Sequence, residues 1–265
     1  MIAVTGMHRS GTSCFAGLLS RCGCSLGSAY PLLNENRPDN EKGHYENLGV
    51  VAINETILRC AGGSWLTPPS PERIAATSER FFGHIKQFSR IFDGNIFKDP
   101  RMCLTIASWE KQCSQKLEFV ILCLRHPASV ALSLKRRDNI EIGTGLSLWL
   151  RYNRSLLEGI SKTPLIIADY DRLKNNFSSE ITQLLLNLGI RMPENKISRQ
   201  TKNFYSEKLN HARIEEIQSI HLPDDIALFY RELRSLGSEA EKETEARKPC
   251  GSVLRKFLNR LGRNR

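Results

Sequence analysis

"VTGMHRSGTS", residues 4–13, is the stretch whose reading decides the fold. A short apolar run, Ile2 to Thr5, leads into glycines. Beyond them Phe15, Leu18, Leu19 and Cys22 recur at i, i+3, i+4 and i+7, the spacing of one helix face. Strand, glycine-rich turn and helix in that order describe a phosphate-binding loop, in which backbone N–H groups converge at the positive end of a helix dipole. The nucleotide-binding form of that loop reads G-x-x-x-x-G-K-[ST]. Here Gly6 and Gly11 keep the spacing and Ser13 keeps the hydroxyl, but Thr12 stands where the lysine belongs. The cation has moved inside the loop, to Arg9, whose planar guanidinium suits two-point recognition of an oxyanion. Ser10, Thr12 and Ser13 add hydroxyl donors. The loop is expected to hold an oxyanion, while an ordinary ATPase is disfavoured because the lysine that bridges the terminal phosphates is missing.

Two further apolar runs, "LEFVILCL" (117–124) and "PLIIAD" (164–169), are short, bounded by polar residues and followed by helical patterns. They read as buried parallel strands. Pro127 fits the first turn of a helix reaching about Arg137. Ile181, Leu184, Leu185 and Leu188 make one helix face, with Gly189 as its C-cap, and another helix is expected over roughly 144–160. Alternating strands and helices predict an α/β fold, an open parallel sheet with helices on both faces, whose ligand lies beyond the carboxyl ends of the strands. Residues 62–80, rich in Pro, Ser and Gly, read as a surface excursion. The expected domain covers 1–235. From 236 the composition turns polar and acidic, and a basic tail closes the chain at 265.

With 265 residues, 40% hydrophobic and 25% charged, the composition is that of a globular domain. No apolar run approaches the length of a membrane span, and Met1 leads straight into the first strand without the pattern of a signal peptide. The eight cysteines form no C-x-x-C pair and are expected as reduced thiols of a cytoplasmic protein. The net charge is +10, of which residues 247–265 carry seven positive charges and no acid, leaving +3 for the rest. A broad nucleic-acid surface is therefore not expected. In the tail, Val253, Leu254, Phe257, Leu258 and Leu261 share a helical side apart from Arg255, Lys256, Arg260 and Arg263. That pattern suits peripheral contact with an anionic membrane face, a helix packed on the domain, or a solvated tail.

The segment "GMHRSGTS" resembles the 5′-phosphosulfate loop of sulfotransferases that use 3′-phosphoadenosine 5′-phosphosulfate (PAPS), where Lys or Arg precedes S-G-T-[ST]. "LRHPASVALSLKRR" resembles the family's 3′-phosphate segment, in which an Arg ends a strand and a Ser follows eight residues later, here Arg125 and Ser133. Arg137 lies four residues beyond Ser133 and so shares its helix face. Two oxyanion sites suit PAPS better than ATP, since ordinary adenosine phosphates carry no 3′-phosphate. "FKDPR" (97–101) resembles the K-D-P stretch of tyrosylprotein and related Golgi-type sulfotransferases. The resemblance makes Lys98 a stabiliser of the sulfuryl group, with Asp99 orienting it and Arg101 structural or facing the substrate. "IIADYDRL" (166–173) resembles the strand ending in Y-E-x-L, with Asp171 for the usual Glu; Tyr170 touches the nucleotide or belongs to the core. The resemblance spans residues 2 to about 190, keeps the family's order of segments, and is closest to its bacterial branch. It implies PAPS as co-substrate and PAP as product, with the donor's charge met by Arg, Lys and backbone and no metal.

Attack by a hydroxyl or amine calls for a general base. Glu46, just before an apolar helical pattern, is the candidate, as the Golgi-type relatives place a glutamate in a comparable segment. His44 is the alternative, since cytosolic relatives use a histidine; Glu35 and Glu41 stay open, and His8, inside the loop, is expected as a donor contact more than as the base. The acceptor is expected to come through loops at 28–45, 62–80 and 195–212; glycan, lipid-linked sugar, peptide and small metabolite all fit. The rival readings are a kinase with a variant loop, dependent on ATP and Mg²⁺, and a non-catalytic module binding a nucleotide or a sulfated ligand.

Overall fold

The computed structural model describes residues 1–33, 43–202, 204 and 214–244. Four parallel strands form the sheet: β1 (Ile2–Thr5), β2 (Ile96–Lys98), β3 (Phe119–Leu124) and β4 (Leu165–Asp169), in the order β2-β1-β3-β4. β1 lies between β2 and β3, with Ile2 opposite Ile96 on one side and Phe119 on the other. The expected strands are present. β2 is an addition: with three residues it is too short for periodicity to betray, and it is specified by the complete burial of Ile96 and Phe97.

Each strand feeds two cores because successive side chains point to opposite faces. Val120, Leu122 and Leu124 join one apolar layer, Ile121 and Cys123 the other. On the first face lie α2 (Leu48–Cys60), α5 (Met102–Gln112), α7 (Ile142–Gly159) and α12 (Asp224–Thr244), with the fully buried Trp109 and Trp149. On the second lie α1 (Thr12–Arg21) and α9 (Phe177–Asn187), which contribute Phe15, Leu18, Ile181 and Leu184. Cover on both faces is why the strands read as unbroken apolar runs. Between β3 and α7 lies α6 (Pro127–Asp138), started by Pro127 as expected, and between β4 and α9 lies α8 (Tyr170–Asn175). Gly189, at φ 74°, closes α9 as its sequence position suggested.

The 62–80 excursion is only partly irregular. Its second half folds as α3 (Pro71–Ser78), capped by Ser70, whose hydroxyl accepts from the Arg73 N–H, and continues into a 3₁₀ turn at Glu79–Phe81. Ser-Pro-Glu was a legible helix start hidden in a Pro-rich segment. α4 (Phe82–Ile91) then leads to β2. The compositional change at 236 falls inside α12, which runs on to Thr244 with Leu236 buried. α10 (Glu194–Thr201) and α11 (Ile214–Gln218) complete the described elements. The amphipathic tail at 247–265, and Glu35 and Glu41, lie outside the described residues.

Candidate active site

The loop between β1 and α1 is shaped by two glycines at which any side chain would be strained and crowded. At Gly6, φ 145°, an added Cβ would meet the Cys123 carbonyl oxygen at 2.5 Å. At Gly11, φ 87°, it would enter the Tyr170 ring. Arg9 itself holds a left-handed φ of 70°, a conformation that costs energy in a non-glycine residue and recurs at functional sites. Gly11 is the N-cap of α1 and brings no side-chain cap, and no acidic residue lies in the first turn, so the helix end is left suited to an anion. Ser10 is 1% exposed, and its Oγ has no hydrogen-bond partner among the described residues. A buried hydroxyl without a partner inside a loop of N–H groups is what a bound oxyanion would satisfy.

The sequence placed Arg9 at one oxyanion site and Arg125 and Ser133 at another; the fold makes them one continuous wall. Arg9 Nε donates to Ser133 Oγ on α6 at 2.9 Å, and Arg125 Nη1 donates to the Arg9 carbonyl at 3.0 Å. Arg125 leaves the end of β3, is 7% exposed, and sets its guanidinium 4.9 Å from the Tyr170 ring centre, a cation–π contact. Trp149 Nε1 donates to the Arg125 carbonyl at 3.0 Å and pins the strand end. Tyr170, at the start of α8, is buried in the core and lines the cleft beside Gly11. Asp171 accepts from the His126 N–H at 2.7 Å, tying the β4 corner to the start of α6. Arg137 lines the cleft while pairing with Asp138.

On the opposite lip stand Lys98 and Glu46. Lys98 ends β2 and is 2% exposed; its Nζ donates to Glu46 Oε1 at 2.6 Å, to the His44 carbonyl at 3.1 Å and to Ser13 Oγ at 3.3 Å. Burial would raise the Glu46 carboxyl, but the Lys98 ammonium, helped by Arg101 and His44, outweighs it and holds the group below the ordinary carboxylate range. Glu46 precedes Asn47, whose side chain caps α2 by accepting from Gly49 N–H at 3.1 Å, so the carboxylate sits at the mouth of that helix. His44 lines the same cleft and contributes its carbonyl to Lys98.

One expectation is overturned. Asp99 does not orient Lys98; consecutive residues leaving a strand point to opposite sides. Asp99, with no exposed surface, accepts from Arg101 Nη1 and Asn54 Nδ2, both at 2.8 Å, and from the Arg101 N–H at 3.0 Å. Asn54 in turn accepts from Thr105 Oγ1 at 2.9 Å and Trp109 Nε1 at 2.8 Å. This network ties α2, which begins just after Glu46, to the turn that follows Lys98. Sequence reading missed Asn54; the only signal was a polar residue on the apolar side of a helix.

His8 is also buried, with its ring centre 4.6 Å from that of Trp65 and 5.9 Å from that of Tyr152. Burial first, then Arg101, Arg137, Lys98 and Arg9, hold its imidazole well below its ordinary value, so it is neutral and unsuited to neutralise an anion. Arg9, Lys98, Arg125, Glu46 and Tyr170 line an open cleft at the carboxyl ends of the strands, where ligands of such sheets bind. Among its described lining residues the cations Arg9, Lys98, Arg125 and Arg137 face a single carboxylate, Glu46. The described residues contain no cluster of His, Cys, Asp or Glu able to hold a metal ion, and no helix among them is long and apolar enough to cross a membrane.

No family profile and no characterised protein sequence matches the chain. Among solved structures the chain is similar to the sulfotransferase domain of the Synechococcus PCC 7002 olefin synthase, at 16% identity over 88% of this chain and 94% of that one, with a TM-score of 0.49. It is also similar to the sulfotransferase domain of the curacin biosynthetic pathway, at 14% identity over 99% of this chain and 97% of that one, with a TM-score of 0.44.

Proposed function

We propose that this protein is a sulfotransferase that moves a sulfuryl group from PAPS to a hydroxyl or amine, with a carbohydrate or glycan as the acceptor class. The observation that supports it most is one cleft with two differently built lips. On one, Arg9, Ser133 and Arg125 form a linked oxyanion wall around a loop lacking the ATPase lysine. On the other, a buried Lys98–Glu46 pair stands at 2.6 Å. The residues present fit the donor: the buried Ser10 hydroxyl lacks a partner among the described residues, and the start of α1 brings no side-chain cap.

When bound, PAPS would supply the activated sulfuryl group. The loop N–H groups, Ser10 and Arg9 would hold its 5′-phosphosulfate, and Arg125 and Ser133 its 3′-phosphate. Lys98 Nζ reaches Ser13 in the first turn of α1, beside the loop, and so stands where sulfuryl charge would be met, the kind of preorganised electrostatics that lowers such barriers. Glu46 takes the proton of the acceptor hydroxyl, a role that contributes about 10²–10⁴-fold. Arg101, 3.6 Å from the second carboxylate oxygen, keeps Glu46 ionised. The test is calorimetric titration with PAP, ATP and adenosine 5′-phosphate, followed by an acceptor screen with labelled PAPS. Tight binding of PAP over both other nucleotides is expected; equal binding of ATP, or transfer that needs ATP and Mg²⁺, would overturn the reading in favour of a kinase.

A further inference from the structure

Lys98 is committed on two sides at once. An ammonium has three donors, and here they go to Glu46 Oε1 at 2.6 Å, the His44 carbonyl at 3.1 Å and Ser13 Oγ at 3.3 Å. Two of the three bind the lip that carries Glu46 and one binds the first turn of α1, beside the phosphate loop. The carboxylate is the strongest of these partners, being charged and closest. An anion arriving at the loop must therefore draw Lys98 from a competitor already seated. The other cation near Glu46 cannot follow: Arg101 is anchored by Asp99 and Glu55, each at 2.8 Å, and stays 3.6 Å from Glu46 Oε2.

The same pairing raises a chemical difficulty. A carboxylate held at 2.6 Å by an ammonium is a poor proton acceptor from a hydroxyl. Both facts resolve together if the ammonium changes partner. Resting on the PAPS reading above, we infer that Glu46 competes with the donor's sulfuryl group for Lys98, so that donor binding and base activation are coupled through this one ammonium. As the donor enters, Lys98 turns from Glu46 to the sulfuryl oxygens, and Glu46, left with the more distant Arg101, gains basicity. Without donor the base stays tied. The coupling is reciprocal: whatever frees Lys98 from Glu46 tightens the donor by the same factor by which the donor frees Glu46. Donor therefore precedes acceptor activation, and the carboxylate costs the enzyme donor affinity.

This gives an unusual expectation, that removing a catalytic group improves binding. Calorimetry of wild type and Glu46→Gln with PAPS should show the variant binding about tenfold more tightly, the size of one modest charge–charge interaction in a partly buried site. PAP, which lacks the sulfuryl group, should change by less than about threefold. Glu46→Asp, whose shorter side chain withdraws from Nζ, should tighten PAPS by an intermediate factor and guards against failure of the first variant to fold. PAPS affinity unchanged or weakened in a folded variant would show that Lys98 serves both partners at once, and the coupling would be wrong while the PAPS reading stood. A wild-type protein that binds neither PAPS nor PAP, or binds ATP equally well, would remove the functional reading and the coupling with it.

Discussion

Replacing Arg125 by alanine separates the two phosphates of the proposed donor. Arg125 supports the loop through a hydrogen bond from Nη1 to the Arg9 carbonyl at 3.0 Å. Losing it should weaken any ligand of the loop by about 0.5–1.5 kcal/mol, the net value of such a bond. A bond from the same guanidinium to a 3′-phosphate is charged on both sides and is worth about 1.5–3 kcal/mol more. That second share falls on PAP alone, because adenosine 5′-phosphate has no group to receive it. PAP should then lose about 2–4.5 kcal/mol and adenosine 5′-phosphate about 0.5–1.5, so the preference for PAP falls roughly 10- to 150-fold. Loss of the cation–π contact with Tyr170 at 4.9 Å adds a stability cost of about 0.5–2 kcal/mol, so the variant's melting must be checked first. Isothermal titration of both nucleotides into wild type and variant at one ionic strength measures the ratio directly. If both ligands weaken by the same factor, Arg125 supports only the loop and the 3′-phosphate belongs elsewhere.

Glu46→Gln should lower turnover on the acceptor found by screening by about 10²-fold or more while PAP binding persists; near-normal turnover would move the base to His44. His8→Gln should flatten the acid side of the stability curve. In the wild type the folded imidazole sits well below its ordinary 6.5, so as pH falls through that value the unfolded chain takes up a proton that the folded one refuses. Stability should then drop with falling pH, by up to about 1.4 kcal/mol per unit, until the folded value is reached; urea unfolding from pH 8 to 5 compares the two proteins, and parallel curves would show that His8 is not the group responsible. For the tail, seven positive charges over 247–265 predict co-sedimentation with anionic vesicles at low salt and release at high salt. A chain ending at Glu245 should stay in solution, and equal behaviour of the two would end the membrane reading.

What could be read from the sequence alone follows from local patterns. Continuous apolar runs at 2–5, 117–124 and 164–169 identified buried parallel strands, because a strand covered on both faces has no polar side to show. Glycine spacing and hydroxyls marked the loop, and Arg9 in place of a lysine at position 12 turned the reading from ATP toward another oxyanion, since backbone conformation and donor chemistry are written within a few residues. Tertiary structure alone decided which distant groups meet. Position 9 touches position 133 only because β1 and β3 are adjacent and α6 returns over the loop. Lys98 meets Glu46, and Asp99 turns away to Arg101 and Asn54, because the parity of a three-residue strand sends neighbours to opposite sides. The pairing that sets the basicity of Glu46 thus depends on strand order and side-chain parity. Sequence pattern carries no trace of either, since an ion pair across 52 residues is held by tertiary contacts such as the Asn54–Asp99 hydrogen bond between α2 and the turn after β2, and not by any local preference.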